Sequence, residues 1–219
     1  MAVEGKAPFA IAGVTSSCST WYKVFGDLTD STKIPLFVLH GGPAAGHDYL
    51  LSLRTLSELV IFYDQLGCGQ STELPEKNED KDFWTPTLFC NELSNLIVHL
   101  GLGHRPIDLL GHSWGGMLAT EWASDPSRAG NLRRLVLYGV PASIEGHVKG
   151  MEKVREGLPQ DTQEAIRRGL EKKDYTSPEY NNAMQVFGQR HLNISTPFPS
   201  DEIAPALVRM ATSEVHHTM

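Results

Sequence analysis

The chain has 219 residues, 41% of them hydrophobic and 21% charged, a balance that excludes an intrinsically disordered protein or a collagen-like repeat. Its 19 Lys and Arg against 26 Asp and Glu leave a formal net charge of −7, so the basic excess of a nucleic-acid binder is missing. No apolar run approaches the ~20 residues of a membrane-spanning helix, and the opening MAVEGKAPFAIAG carries Glu4 and no sustained apolar stretch, which argues against a secretory leader.

In chain order, an opening pair of strands is expected at 9–14 and 18–26, the second carrying Trp21, Tyr22, Val24 and Phe25. The run IPLFVL (34–39) is short and nearly all apolar, as in a strand covered on both faces. A helix-like stretch at 48–56 and a second buried strand, LVIFY (59–63), follow. Thr85 and Pro86 then open a helix as cap and first-turn residue. Its Phe89, Leu93, Leu96, Ile97 and Leu100 recur at spacings of three and four, so one face packs inward. A strand at 107–110, a helix at about 114–124 and a strand at 132–140 repeat the pattern. Buried strands separated by helices predict an α/β fold with a mostly parallel sheet and flanking helices. After Pro141 the sequence turns helical and polar, with segments starting near Glu145, Pro159, Pro178 and Asp201. The expected organisation is a core over 1–142 and a helical cap over 143–219.

Three segments fall at the C-terminal ends of the central strands, where open parallel sheets place their ligands. Gly111-His112-Ser113-Trp114-Gly115-Gly116, between a strand and a helix, fits the G-x-S-x-G nucleophile elbow. A sharp turn leaves no room for β-carbons beside the serine, hence the glycines. The rival reading, a Gly-Ser turn that merely packs a helix on a strand, is weakened by the strand before, the helix after and the extra Gly116. His40-Gly41-Gly42-Pro43 follows IPLFVL and suits a loop donating a backbone N–H to an oxyanion, near Gly42, with the Trp114 N–H as second donor. A phosphate cradle is the alternative, but G-x-x-x-x-G-K-[ST] is absent. His40, preceding the loop, is expected to order it rather than act as a base. In Asp64-Gln65-Leu66-Gly67-Cys68-Gly69-Gln70-Ser71, Asp64 reads as a buried loop organiser rather than a catalytic acid. Cys68 has no assigned base.

HGGP, DQ-x-G-x-G-x-S and GHSWGG, in this order and context, resemble the α/β-hydrolase fold, and in particular its proline iminopeptidase and amino-acid amidase branch. The likeness continues through HGGPAAGHDYLLSL, VIFYDQLGCGQS and LLGHSWGGMLATEWA, strongly to Ala142 and weakly through the cap. One departure is HGGPAAG where the family has HGGPG. Ser113 in the elbow argues against epoxide hydrolases and dehalogenases, which carry Asp there. The resemblance implies an enzyme that removes an N-terminal residue, often proline, from a small peptide or amino-acid amide through an acyl-enzyme on Ser113, without a metal or other cofactor. An esterase or thioesterase, and a non-catalytic interaction protein, are the alternatives.

The resemblance also implies an acid and a histidine on loops after further strands. Downstream of Ser113 stand His147, His191, His216 and His217, none of which follows a strand; each reads as a cap histidine, and the alternative is His216 or His217 as the base. The expectation is a family member cut short, its last strands absent, with a partner chain or second copy over the exposed sheet edge. Cys18, Cys68 and Cys90 are odd in number and widely spaced, giving neither a disulfide framework nor a zinc pattern, so a reducing, cytoplasmic setting is expected. Asn193-Ile194-Ser195 fits a glycosylation acceptor and, without an export signal, reads as fortuitous.

Overall fold

The structure, a computed structural model, describes residues 2–192 and 198–219; the Asn193-Ile194-Ser195 tripeptide lies outside the described residues. Two compact units form, Met1–Val140 with Pro205–Met219, and Pro141–Ala204.

In the first unit, strands β1 (Ala2–Phe9), β2 (Cys18–Phe25), β3 (Leu36–Leu39), β4 (Val60–Tyr63), β5 (Ile107–His112) and β6 (Leu132–Tyr138) form one sheet in the order β1-β2-β4-β3-β5-β6. The last four are mutually parallel, while β1 and β2 join as an antiparallel hairpin. Alternation explains why β3 and β4 read as continuous apolar runs. Phe37, Leu39, Ile61 and Tyr63 face a core shared with helices α1 (Pro86–His99) and α2 (Trp114–Ser124). Leu36, Val38, Val60 and Phe62 face the opposite side with Leu50. Leu50 belongs to the helix-like stretch, which is a 3₁₀ segment over Asp48–Thr55. Thr85 caps α1 by accepting from the Leu88 N–H, with Pro86 in the first turn.

Two strands differ from expectation. The first pairs Ala2–Phe9 rather than 9–14 with β2, its Ala7 and Phe9 pointing into the core and the rest largely exposed. Gly5 and Pro8 hide it from a propensity reading, since Pro and Gly are tolerated on an edge strand. The last, expected to be buried, pairs only with β5 among the described residues and leaves Val136, Leu137 and Tyr138 exposed.

The second unit holds α3 (Ile144–Glu156), α4 (Gln160–Lys172) and α5 (Pro178–His191), close to the expected starts. Ser143 and Ser177 cap α3 and α5 by accepting from the Gly146 and Tyr180 N–H groups. Leu158, Ala165, Ile166, Ala183 and Phe187 make its core. The chain then returns to the first unit with α6 (Ala204–Thr212) and α7 (Glu214–Thr218), where sequence reading extended the cap to 219. The ties are specific. Arg209 donates to the Ala45 carbonyl at 2.8 Å and pairs with Asp48, Val215 joins the main core, and Thr218 Oγ1 accepts from the Glu79 N–H at 3.2 Å.

Candidate active site

β5 ends at His112 and α2 begins at Trp114, leaving Ser113 alone to make the turn. It does so at φ 52°, ψ −120°, a conformation costing about 1–3 kcal/mol in a non-glycine residue. Its half-buried side chain makes no capping bond to α2, so the oxygen is not consumed by the helix it starts. Flanking glycines permit this approach. A β-carbon on Gly111 would lie 2.4 Å from the Gly115 carbonyl oxygen, and one on Gly115 would lie 2.3 Å from that of Leu39 and 2.5 Å from that of His40. Close packing thus brings the end of β3 directly against the first turn of α2.

That contact sets the His40-Gly41-Gly42-Pro43 loop beside the serine, where a β-carbon on Gly41 would sit 3.2 Å from Ser113 Cβ. Gly42 takes φ 119°, and the Gly42–Pro43 bond is cis. The Gly41 N–H is already spent on the Tyr49 hydroxyl at 2.8 Å. Tyr49 therefore directs its own proton to His112 Nδ1, 2.7 Å away, leaving His112 neutral with its proton on Nε2. Burial favours this state by lowering the His112 pKa and raising that of Tyr49. The Gly42 N–H has no partner among the described residues, and the Trp114 N–H lies in the first turn of α2, where no intrahelical acceptor exists.

Beneath the loop, His40 is fully buried, and burial pushes its pKa down to about 4. Its Nε2 accepts from the Gln65 N–H at 3.0 Å, so Nδ1 carries the proton and donates to the Gly41 carbonyl at 2.9 Å. Gln65 answers with its side chain, donating to the His40 carbonyl at 3.1 Å and accepting from the Trp114 indole at 2.9 Å. One glutamine thus connects both expected oxyanion segments. Asp64 accepts from His47 N–H (2.9 Å), His47 Nδ1 (2.8 Å) and the Gln70 N–H (3.0 Å). Burial raises its pKa, but the His47 bond and charge, His40 and Gln70 outweigh burial and hold it below the usual carboxylate range. Burial pushes the Cys68 thiol well up, away from the thiolate a nucleophile needs.

Of the downstream histidines, His147 and His191 lie in the second unit. His217 Nε2 faces the Ala211 carbonyl at 3.1 Å, and half-buried His216 lies beside the Pro43 backbone. Within its own unit Ser113 Oγ has no hydrogen-bond partner among the described residues. A cavity of about 560 Å³, lined by His47, Asp48, Asp64, Glu73, Trp84 and Arg209 among others, does not include Ser113. No three His, Cys, Asp or Glu among the described residues are grouped to hold a metal, and no described helix is long and apolar enough to cross a membrane. Sequence reasoning gave no role to Tyr49, His112, His47 and Glu92; the first three stand inside the quoted motif segments, but what they do depends on pairings 17 to 72 residues apart, and Glu92 lies in no motif.

A serine on a strand-turn-helix elbow beside a glycine loop defines a serine-hydrolase type of site. Residues 34–206 match the α/β hydrolase fold, and the chain belongs to that family. It is similar to the proline iminopeptidase of Lactobacillus crispatus, 35% identical over 86% of this chain and 61% of that protein. Its fold matches the crystal structure of the Mycobacterium smegmatis proline iminopeptidase at a TM-score of 0.81 and 33% identity, over 99% of this chain and 70% of that one. The crystal structure of VinJ matches at a TM-score of 0.87 and 39% identity, with the same coverage. The chain thus spans about three fifths of the length of the Lactobacillus protein.

Proposed function

We propose that this chain carries the nucleophile and oxyanion half of a proline iminopeptidase-type serine hydrolase, acting on small peptides or amino-acid amides with an N-terminal proline-like residue. The observation that carries this reading is Ser113 held at positive φ, uncapped, against the His40–Pro43 loop. Ser113 Oγ attacks the carbonyl carbon of the N-terminal residue, and the negative charge gathers on the carbonyl oxygen between the Gly42 and Trp114 N–H groups. The C–N bond then breaks, the serine proton leaves with the amine, and water hydrolyses the ester to restore Ser113. One such backbone donor is worth about 3–4 kcal/mol in the transition state. His40 serves the loop as a neutral prop, Asp64 organises its neighbour, and no cofactor enters.

Similarity to two proline iminopeptidases supports the substrate class. Three free, buried cysteines support a reducing, cytoplasmic setting. The exposed edge of β6 supports a covering strand from a partner chain or a second copy; sedimentation showing a monomer at every concentration, with no partner recovered, argues against that cover.

The test is hydrolysis of proline and alanine anilides, alongside simple esters, by the wild type and Ser113→Ala. Faster turnover of proline anilide that vanishes in Ser113→Ala is expected. Equal rates in both proteins, or ester cleavage without amide cleavage, contradicts the reading.

A further inference from the structure

The inward face of α1 is apolar at Phe89, Leu93, Leu96 and Ile97, all fully or almost fully buried. On the same face sits Glu92, with no exposed surface. Packing alone would place an aliphatic residue there, because a buried polar group costs free energy unless its hydrogen bonds are made. Glu92 makes two of them through a single oxygen. Its Oε1 accepts from Thr20 Oγ1 of β2 at 2.6 Å and from the Leu66 N–H at 2.9 Å. Leu66 is the residue after Gln65, the glutamine that holds the His40 carbonyl and the Trp114 indole.

We infer that Glu92 is a positioning residue for the site: it ties the Asp64–Ser71 loop to β2 and α1, and so fixes Gln65 between the His40 loop and Trp114. The inference rests on the reading of Ser113, Gly42 and Trp114 given above. The proton location follows from the bonds. With both donors on Oε1, the acid proton sits on Oε2, which is buried without a partner among the described residues. Burial, reinforced by the Asp64 carboxylate and opposed by the Thr20 and Leu66 bonds, raises the Glu92 pKa to about 8. The titratable groups coupled to it are the Tyr63 hydroxyl of β4 and, in the loop, Asp64 and the Cys68 thiol. None of these stabilises a carboxylate there, so ionisation sets a second buried negative charge beside Asp64, held only by the Thr20 and Leu66 donors. Ionisation strengthens the two bonds to Oε1 while adding repulsion against Asp64 under the loop, so the setting of Gln65 changes as the acid ionises.

The experiment follows the indole N–H resonance of Trp114, assigned with Trp114→Phe, against pH in the wild type, Glu92→Gln and Glu92→Leu, alongside labelling of Ser113 by a fluorophosphonate. Glu92→Gln keeps the Oε1 acceptor and cannot ionise. The Trp114 resonance is expected to titrate near the Glu92 pKa in the wild type and to stay in place in Glu92→Gln. In Glu92→Leu it is displaced at every pH, with labelling slowed by up to ~100-fold, the scale of a misplaced catalytic group. Superposable pH curves in the wild type and Glu92→Gln, or an unmoved resonance in Glu92→Leu, overturn the inference. If Glu92→Leu does not fold, the comparison with Glu92→Gln decides alone. The indole signal needs no turnover. A Trp114 titration in a protein that never labels would sink the peptidase reading and leave the Glu92 tie standing.

Discussion

Replacing Gly115 with alanine probes the joint on which the site depends. The added β-carbon would meet the Leu39 carbonyl oxygen at 2.3 Å and the His40 carbonyl oxygen at 2.5 Å. Carbon–oxygen contacts ordinarily settle near ~3.3–3.6 Å, so α2 and the end of β3 must part by about 1 Å. Both obstacles are backbone, and no side-chain rotation relieves them. Overpacking of this kind costs about 1–3 kcal/mol, which the better helix propensity of alanine, worth up to ~1 kcal/mol, only partly offsets. A net loss of ~1–2 kcal/mol lowers Tm by about 2–8 °C for a chain of this size. The displacement also moves the His40–Pro43 loop away from Ser113, and a misplacement near 1 Å costs up to ~100-fold in rate. Thermal unfolding followed by far-ultraviolet circular dichroism, with the rate of fluorophosphonate labelling, reads both effects. Gly150→Ala is the control, since nothing lies within 4 Å of a β-carbon there and the residue is inside α3. It should stabilise by up to ~1 kcal/mol. An unchanged Tm and labelling rate in Gly115→Ala would refute the packing argument.

Other expectations follow from the same geometry. Ser113→Gly relieves the φ 52° conformation and should raise Tm, by about 1–3 kcal/mol in stability, whereas Ser113→Ala keeps the strain and should not; equal Tm values for the two variants would show the elbow to be relaxed. The lowered pKa of Asp64 means that its contribution is present above the unfolded value near ~3.9 and is lost as pH falls through the folded value. Asp64→Asn should therefore be less stable at neutral pH and less sensitive to acid, and parallel acid-unfolding curves would contradict this. Glu92 has the opposite sign: its pKa of about 8 lies above the unfolded one, so its contribution is complete below the unfolded pKa and lost as pH rises through the folded one. Denaturant melts of the wild type should weaken over that interval, and Glu92→Gln should flatten the slope.

The elbow and the loop were legible in the sequence because their signals are local. Ser113 needs close glycine neighbours, and these stand next to it in the chain. The strands β3 and β4 announced themselves as apolar runs because both their faces are covered. β1 did not, since an edge strand with only Ala7 and Phe9 turned inward carries almost no pattern. Helices α6 and α7 were found as helical sequence but placed with the cap, because the bonds that return them to the core run from Arg209 to Ala45 and from Glu79 to Thr218 across more than a hundred residues. For the same reason the Tyr49–His112 and Glu92–Leu66 bonds were out of reach. Nothing in an amphipathic helix tells that one inward position is an acid waiting for a loop N–H.

The most direct test of the central claim is covalent. After reaction with a fluorophosphonate, the chain is digested and the adduct located by mass spectrometry. A single adduct on Ser113, lost in Ser113→Ala, is the expected result. No adduct on the folded protein, or an adduct on another residue that persists in Ser113→Ala, would contradict Ser113 as the nucleophile.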